Sequence, residues 1–473
     1  MEPGGMDFRR ESVAGLAGMV RSGRLAAREL TAHALDRIET LNPRVNAFVA
    51  VDGERAMEQA AAVDQLVASG GDPGPLAGIP LGVKDVEHAA GYRTTMGSHL
   101  FARSPVALVD SPFVARLRAA GCVVVGKTNT PELAWTPHTA NNLFGETRNP
   151  FDPAHSAGGS SGGSAAALAS GMVPLATGTD GGGSIRIPAS CCGLSGVKPS
   201  LGRVPAGGAE PPSWLGLSTP GPMARRIADI VTALDVAVGP EPTDLRVLPR
   251  PEASWPAALV DPHVPSRVAW APSLGYATVD REVLDICERA LAVLERLGAE
   301  IVEVDPVFDE DPLRAWLTMV GAFLHRTLHP LREHPDRERL DPALARLVER
   351  AASTTGLELL GAFDECHRMN LRLVELFHDA RLLVTPTMAG PPPPLALGAA
   401  GLVNGAVEDN WVRFTYPFNM TGSPAATVCA GLTGAGLPVG LQLVGPQHAD
   451  LVVIRSAAAL ESALGFDELA PIG

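Results

Sequence analysis

Between Pro153 and Thr179 the chain runs 27 residues without an aspartate, glutamate, lysine or arginine. That length suits a membrane span, but Gly158, Gly159, Ser160, Ser161, Gly162 and Gly163 interrupt it with residues that favour loops. Something other than lipid requires them. A second glycine–serine loop follows, Thr179-Asp-Gly-Gly-Gly-Ser-Ile-Arg-Ile-Pro-Ala189, after an alanine-rich segment and a short apolar run. Glycine lets backbone N–H groups approach a ligand closely, and successive N–H groups form an anion-binding concavity. With hydroxyls beside them, the parts are those of a nucleophile and an oxyanion hole. Two structural turns, or a phosphate cradle, would use the same residues.

The rest of the chain alternates helix and strand. Apolar positions at helical spacing mark SVAGLAGMV and LAARELTAHALDRIETL, with Asn42 and Pro43 expected to stop the second helix, and a third helix over 56–68. Ile79–Val83 reads as a buried strand. Phe113–Ala120 reads as helix, with Gly121 as its stop and Cys122–Val125 as the next strand. The rhythm recurs from 165–170 to 173–176, from 281–297 to 300–304 and from 357–378 to 382–384, and 439–444 leads into a helix over 451–464. Such alternation predicts an α/β sheet covered by helices on both faces. The glycine-poor stretch 275–380 reads as a helical layer or lid, and Pro391–Pro394 as a rigid connector. A length of 473 residues suggests about three domains, but no flexible linker divides the chain. One large domain fits better.

Charge and cysteine usage exclude several classes. With 38 basic and 52 acidic residues the net charge is −14, and no run of Lys or Arg exceeds two residues, so no nucleic-acid surface is expected. The six cysteines form no CxxC pair, and the N-terminus lacks the apolar core of a signal peptide, which predicts a cytoplasmic protein with reduced thiols and no membrane segment.

Several motif matches fail on context. Gly159–Gly163 matches G-x-S-x-G and nominates Ser161, but no strand precedes it. Ser195-Gly-Val-Lys198 matches S-x-x-K without a K-T-G partner. Gly121–Thr128 matches a P-loop, yet its middle reads as the strand itself. His325 and His329 have metal-binding spacing on a helix, but no glutamate accompanies them and Pro330 ends the helix, so no metal is expected. Asn419-Met-Thr421 matches a glycosylation acceptor that a chain without a signal peptide would not present.

The two loops together resemble the amidase signature family, and the similarity extends through Gly78–Asp85, Gly126–Glu132, Gly193–Pro199 and Gly436–Gln442; only about 240–380 is undiagnostic. The resemblance implies a single large domain over 1–473 with a mixed, twisted sheet between helices. Within it, 1–70 is a helical layer, 71–240 the catalytic core, 241–380 a more helical, variable substrate-side region, and 381–473 the return to the core sheet. It implies Ser184 as nucleophile, Ser160 as bridging serine at a cis peptide bond 24 residues earlier, and Lys84 as general base. The N–H groups of Gly181, Gly182, Gly183 and Ser184 would form the oxyanion hole, with Ser161, Asp180 and Arg186 in support. Two positions depart from the family: Gly181 stands where a larger residue is common, which would loosen the loop, and Ala157 where proline is common.

Elementary chemistry agrees with these roles. A serine hydroxyl needs an adjacent base, and a lysine serves only if burial brings its pKa far below about 10.4. Ile79, Leu81 and Val83 lead to Lys84, and strand alternation would turn Asp85 and Glu87 to the opposite face. Lys127 and Lys198 are rival bases that the resemblance makes structural.

The expected activity is hydrolysis of small-molecule amides through an acyl-enzyme, with carbamates and esters in reach, no cofactor, and a monomer or homodimer. Trp135, Trp214 and Phe414 are candidate pocket residues, within Trp135–Asn142, Pro205–Thr219 and Trp411–Phe418, together with the helical stretch Trp316–Phe323. Glu210 and Arg413 are the charged residues noted there, so neutral, apolar or aromatic substrates are expected. The alternatives are the glutamine amidotransferase subunit of a tRNA-dependent system and a non-catalytic binding protein.

Overall fold

The computed structural model describes residues 6–209, 211 and 213–472. Eleven strands form one sheet. In spatial order they are Phe48–Val51, Val123–Thr128, Pro80–Lys84, Leu175–Asp180, Thr219–Met223, Gly196–Lys198, Ala425–Leu432, Pro438–Val444, Leu382–Pro386, Arg267–Trp270 and Glu300–Glu303. Pairing is parallel among Val123–Thr128, Pro80–Lys84 and Leu175–Asp180, and again among Leu382–Pro386, Arg267–Trp270 and Glu300–Glu303. The remaining pairs are antiparallel. The sheet is therefore mixed. Helices cover it, and Pro80–Lys84, Val123–Thr128, Thr219–Met223, Leu382–Pro386 and Pro438–Val444 are buried end to end, as expected for a sheet with no wet face. Among the described residues no helix is long and apolar enough to cross a membrane.

Local chemistry explains several helix boundaries. Ser12 caps Val13–Arg21 by accepting the Gly15 N–H at 3.0 Å. Thr355 and Glu358 form a reciprocal capping box at the start of Gly356–Asp379. One expected stop fails. The helix from Ala27 continues through Pro43 to Val45, and the reversal comes at left-handed Asn46. Asn42 makes that reversal: its side-chain oxygen accepts the N–H groups of Ala47 and Phe48 at 2.8 and 2.7 Å, just past the helix end.

The strand Thr219–Met223, sequence TPGPM, lies mid-sheet although its two prolines argue against a strand. It pairs with five residues of Leu175–Asp180 on one side and through the single pair Gly196–Met223 on the other.

The short helix Gly162–Ala169 leaves the first glycine–serine loop and lies buried along its length. Ser164 fastens it, contacting Thr128 Oγ1 at 2.7 Å and donating to the Thr177 carbonyl at 2.8 Å. Gly163 is required for the approach: a Cβ there would lie 2.3 Å from the backbone nitrogen of Asn129. Gly163→Ala should therefore lower stability by roughly 1–3 kcal/mol through overpacking. Gly18→Ala, in a helix with open space around that position, should raise it by roughly 0.5–1 kcal/mol. Thermal or urea denaturation of the two variants checks both signs.

Candidate active site

The two glycine–serine loops meet at the carboxyl ends of two parallel strands, where α/β sheets commonly hold their sites. Lys84 is the last residue of Pro80–Lys84, and Thr179 and Asp180 end the neighbouring strand. Thr177 and Thr179 share a face of that strand. Thr177 Oγ1 accepts the Lys84 N–H at 2.9 Å, and Lys84 Nζ donates to Thr179 Oγ1 at 2.8 Å. The same Nζ donates to Ser160 Oγ at 2.8 Å. The Gly159–Ser160 peptide bond is cis. Ser161 stands at the head of the following helix, and its N–H donates to the Ser184 carbonyl at 3.2 Å, which joins the loops. Exposure increases along the series: Lys84 is 0% exposed, Ser160 1% and Ser184 8%.

Burial pulls the Lys84 ammonium down to about 7, against the opposing pull of Glu87 and Asp180. The expectation that Glu87 faces away from Lys84 fails. The strand ends at Lys84 and a turn, with the Glu87 N–H on the Lys84 carbonyl at 3.0 Å, folds Glu87 back. Burial in turn raises the Glu87 carboxyl to about 7. Asp85 does point elsewhere, to Thr95 and, at 3.4 Å, to Lys127.

Perturbed pKa does not single out Lys84. Burial, reinforced by Arg186, also brings Lys198 to about 7, and burial lowers Lys127. Geometry does single it out. Lys127 Nζ donates to the Glu87 carbonyl and Thr94, and Lys198 Nζ to the Pro199 carbonyl. Among the described residues, Lys84 alone of the three touches a serine.

The second loop is organised by Asp180, which is fully buried and paired with equally buried Arg186 at 2.8 Å. Burial alone would raise its carboxyl, but Arg186 foremost holds it well below the usual range. Its oxygens also accept the N–H groups of Gly183 at 2.8 Å and Ile185 at 3.2 Å. Arg186 donates onward to the Thr415 carbonyl, Gln442 and Asn419.

Each peptide of the loop can then be accounted for. The Asp180 carbonyl accepts from Asn419 at 2.6 Å, that of Gly181 from the Trp316 indole at 3.1 Å, and that of Gly183 from the Ile187 N–H at 2.7 Å. A trans peptide directs its N–H opposite to its carbonyl. The N–H groups of Gly181, Gly182 and Ser184 are thereby oriented, and they have no partner among the described residues. Gly183 is a correction to the expected set: Asp180 occupies its N–H, and Thr415 Oγ1 occupies the Gly182 carbonyl of the same peptide at 2.6 Å.

Of the expected pocket residues, Trp214 packs on the loop. A Cβ at Gly181 would lie 2.7 Å from its ring, so the tryptophan fills the space of the missing side chain and the loop is not loosened. Trp316 lies edge-on to Trp214 at 5.6 Å and against Tyr416 at 5.6 Å, and it covers Gly182. Trp135 is half-buried, just before Pro137, whose backbone packs on Gly159. Phe414 is a correction. It is wholly buried in the core, with its carbonyl held by Gln442 at 2.9 Å. Arg413 is paired with Glu408 at 2.7 Å, and Glu210 lies outside the described residues.

His325 Nδ1 bonds the Val348 carbonyl at 3.1 Å, and no group of three or more potential metal ligands gathers among the described residues. Asn419, the glycosylation match, is buried against Asp180. Sequence reading missed Thr179 as the second partner of Lys84, for which the T-G-T alternation was the available signal. It also missed Thr415 and Asn419 as anchors of the loop, for which it held no signal, and it took Trp316 only as pocket lining.

The family model described as Amidase matches residues 29–454. An acylamidase from Rhodococcus erythropolis is 36% identical over 94% of both chains. A component of the glutamyl-tRNA(Gln) amidotransferase of Salinispora arenicola is 36% identical over 97% of this chain and 98% of its own. Among solved structures, a bacterial aryl acylamidase of the amidase signature family superposes with a TM-score of 0.92 at 30% identity, covering 98% of each chain.

Asp180→Ala would leave the Arg186 guanidinium buried without its carboxylate, and should lower stability by roughly 3–5 kcal/mol. The double variant Asp180→Leu with Arg186→Met should recover part of that loss. Urea denaturation of the two variants measures the difference.

Proposed function

This chain belongs to the amidase family, hydrolases of carbon–nitrogen bonds other than peptide bonds, and from that premise we propose that it cleaves neutral, apolar or aromatic amides through an acyl-enzyme on Ser184. The observation that carries the reading is the buried Lys84–Ser160 contact of 2.8 Å beside the Ser184 loop. Neutral Lys84 accepts the Ser160 proton while Ser160 accepts that of Ser184, and Ser184 Oγ attacks the carbonyl carbon. The negative charge on the tetrahedral intermediate meets the N–H groups of Gly181, Gly182 and Ser184. The relay then returns the proton to the departing amine. Water deprotonated through the same relay releases the acid. Carbamates and esters present the same carbonyl and fall within reach of these groups.

The substrate class rests on the aromatic surface of Trp214, Trp316 and Tyr416 beside the loop. The acylamidase names of two of the relatives point the same way. Similarity to an amidotransferase component raises glutamine as the competing substrate. Glutamine carries an ammonium and a carboxylate, each of which costs several kcal/mol to bury unpaired. Arg413, three residues before Tyr416, is already paired with Glu408.

Ser184→Ala should lower kcat/KM by at least about 1,000-fold with an unchanged circular dichroism spectrum. In the native protein kcat/KM should rise about tenfold per pH unit below about 7 and level off above it. The sign follows from the base: protonated Lys84 accepts nothing, and it loses its proton as the pH rises through about 7. A profile that falls over that range would rule out a lysine base.

An apolar anilide and an aryl carbamate should each exceed glutamine in kcat/KM by tenfold or more, about 1.4 kcal/mol of transition-state preference. A glutamine advantage of that size would assign a polar pocket and the amidotransferase-type reaction instead.

A further inference from the structure

The helix Gly356–Asp379 buries Ala362, Met369 and Leu373 on one face, yet a second face is also apolar. Leu357, Leu360, Phe363, Leu371 and Val374 are 81, 62, 40, 48 and 48% exposed. At about 100° per residue these five fall within a sector of about 120°, with exposed Asp364, His367 and His378 inside it. A largely apolar exposed stripe of this kind marks an interaction surface. We propose that it is covered by the same stripe of a second copy of this chain, antiparallel, about a two-fold axis passing His367.

The order of the residues selects that occupant. A two-fold interface is self-complementary: where residue i of one copy meets j of the other, j also meets i. Leu360 and Val374 lie seven residues to either side of His367, and Phe363 and Leu371 four to either side. Antiparallel pairing about His367 therefore sets Leu360 on Val374 and Phe363 on Leu371, twice each. Leu357 lies ten residues before His367, and ten residues after it is Phe377, which with Val374 and His378 lines a surface cleft. The most exposed residue of the stripe in each copy thus falls level with a cleft in the other.

Charge follows the same symmetry. Asp364, three residues before His367, falls level with the midpoint between Arg368 and Arg372 of the second copy, one and five residues after it. Within the chain these arginines pair with Glu365, Asp309 and Glu375, at solvent-exposed positions that leave donors available. The ridge is 24 residues long, about 36 Å, so the contact lies toward the small end of specific interfaces and a micromolar dimer is expected.

Sedimentation of the full chain between about 1 and 200 µM tests this. A concentration-dependent dimer is expected. Leu357→Asp and Leu360→Asp should each weaken it by at least about 100-fold, because each change removes two buried leucines per dimer, while amide hydrolysis persists as a sign of intact folding. In a Cys366→Ala background, His367→Cys should form a disulfide-linked dimer under mild oxidation, and Glu349→Cys, on another helix, should not. A chain that stays monomeric at about 200 µM would overturn the proposal. So would a dimer unaffected by Leu360→Asp, or a dimer that His367→Cys fails to cross-link.

Discussion

The buried pair of Asp180 and Arg186 is the interaction on which the site depends. Both side chains are excluded from water, a placement tolerable only when every donor and acceptor is satisfied. The carboxylate meets that demand by taking N–H groups from its own loop, and the guanidinium by reaching Thr415, Gln442 and Asn419 from the C-terminal part of the chain. Satisfying the two charges therefore fixes the path of the glycine loop and ties it to segments more than 200 residues away.

With that path fixed, the direction of each peptide follows from its carbonyl. Asn419, Trp316 and the Ile187 N–H hold three carbonyls, and the N–H groups of Gly181, Gly182 and Ser184 point the other way. Preorganisation of this kind matters because donors already aimed at a developing charge need no rearrangement when it forms. The glycines serve this arrangement by their lack of side chains. Trp214 and Trp316 pack where side chains at Gly181 and Gly182 would stand. The surface proposed to receive an aromatic substrate is thus also what stiffens the loop behind it.

The three buried lysines show how environment divides one residue type into different roles. Burial lowers the pKa of all three, so desolvation alone does not select a base. Selection comes from neighbours. Carbonyl oxygens hold Lys127 and Lys198 as structural donors. Lys84 faces two hydroxyls, one of which, that of Ser160, stands beside the residue whose N–H joins the Ser184 loop.

Much of this was legible in the chain itself. The paired glycine–serine loops, the apolar run ending at Lys84 and the helix–strand rhythm are local signals, because backbone freedom, strand burial and helical periodicity are written in adjacent residues. What adjacent residues do not encode was decided by tertiary structure. Thr219–Met223 is a strand because its neighbours in the sheet accept it despite Pro220 and Pro222. Glu87 turns back on Lys84 because the strand ends one residue before Asp85, where alternation no longer applies. Phe414 is core and Trp316 lines the loop, although both read equally well as pocket residues. Gly183 loses its place among the free donors to a carboxylate three residues away. The sequence determined which chemical groups are present and the local conformations they permit. Their partners were settled only in the fold, because hydrogen bonds and burial depend on distances between residues that the chain order leaves far apart.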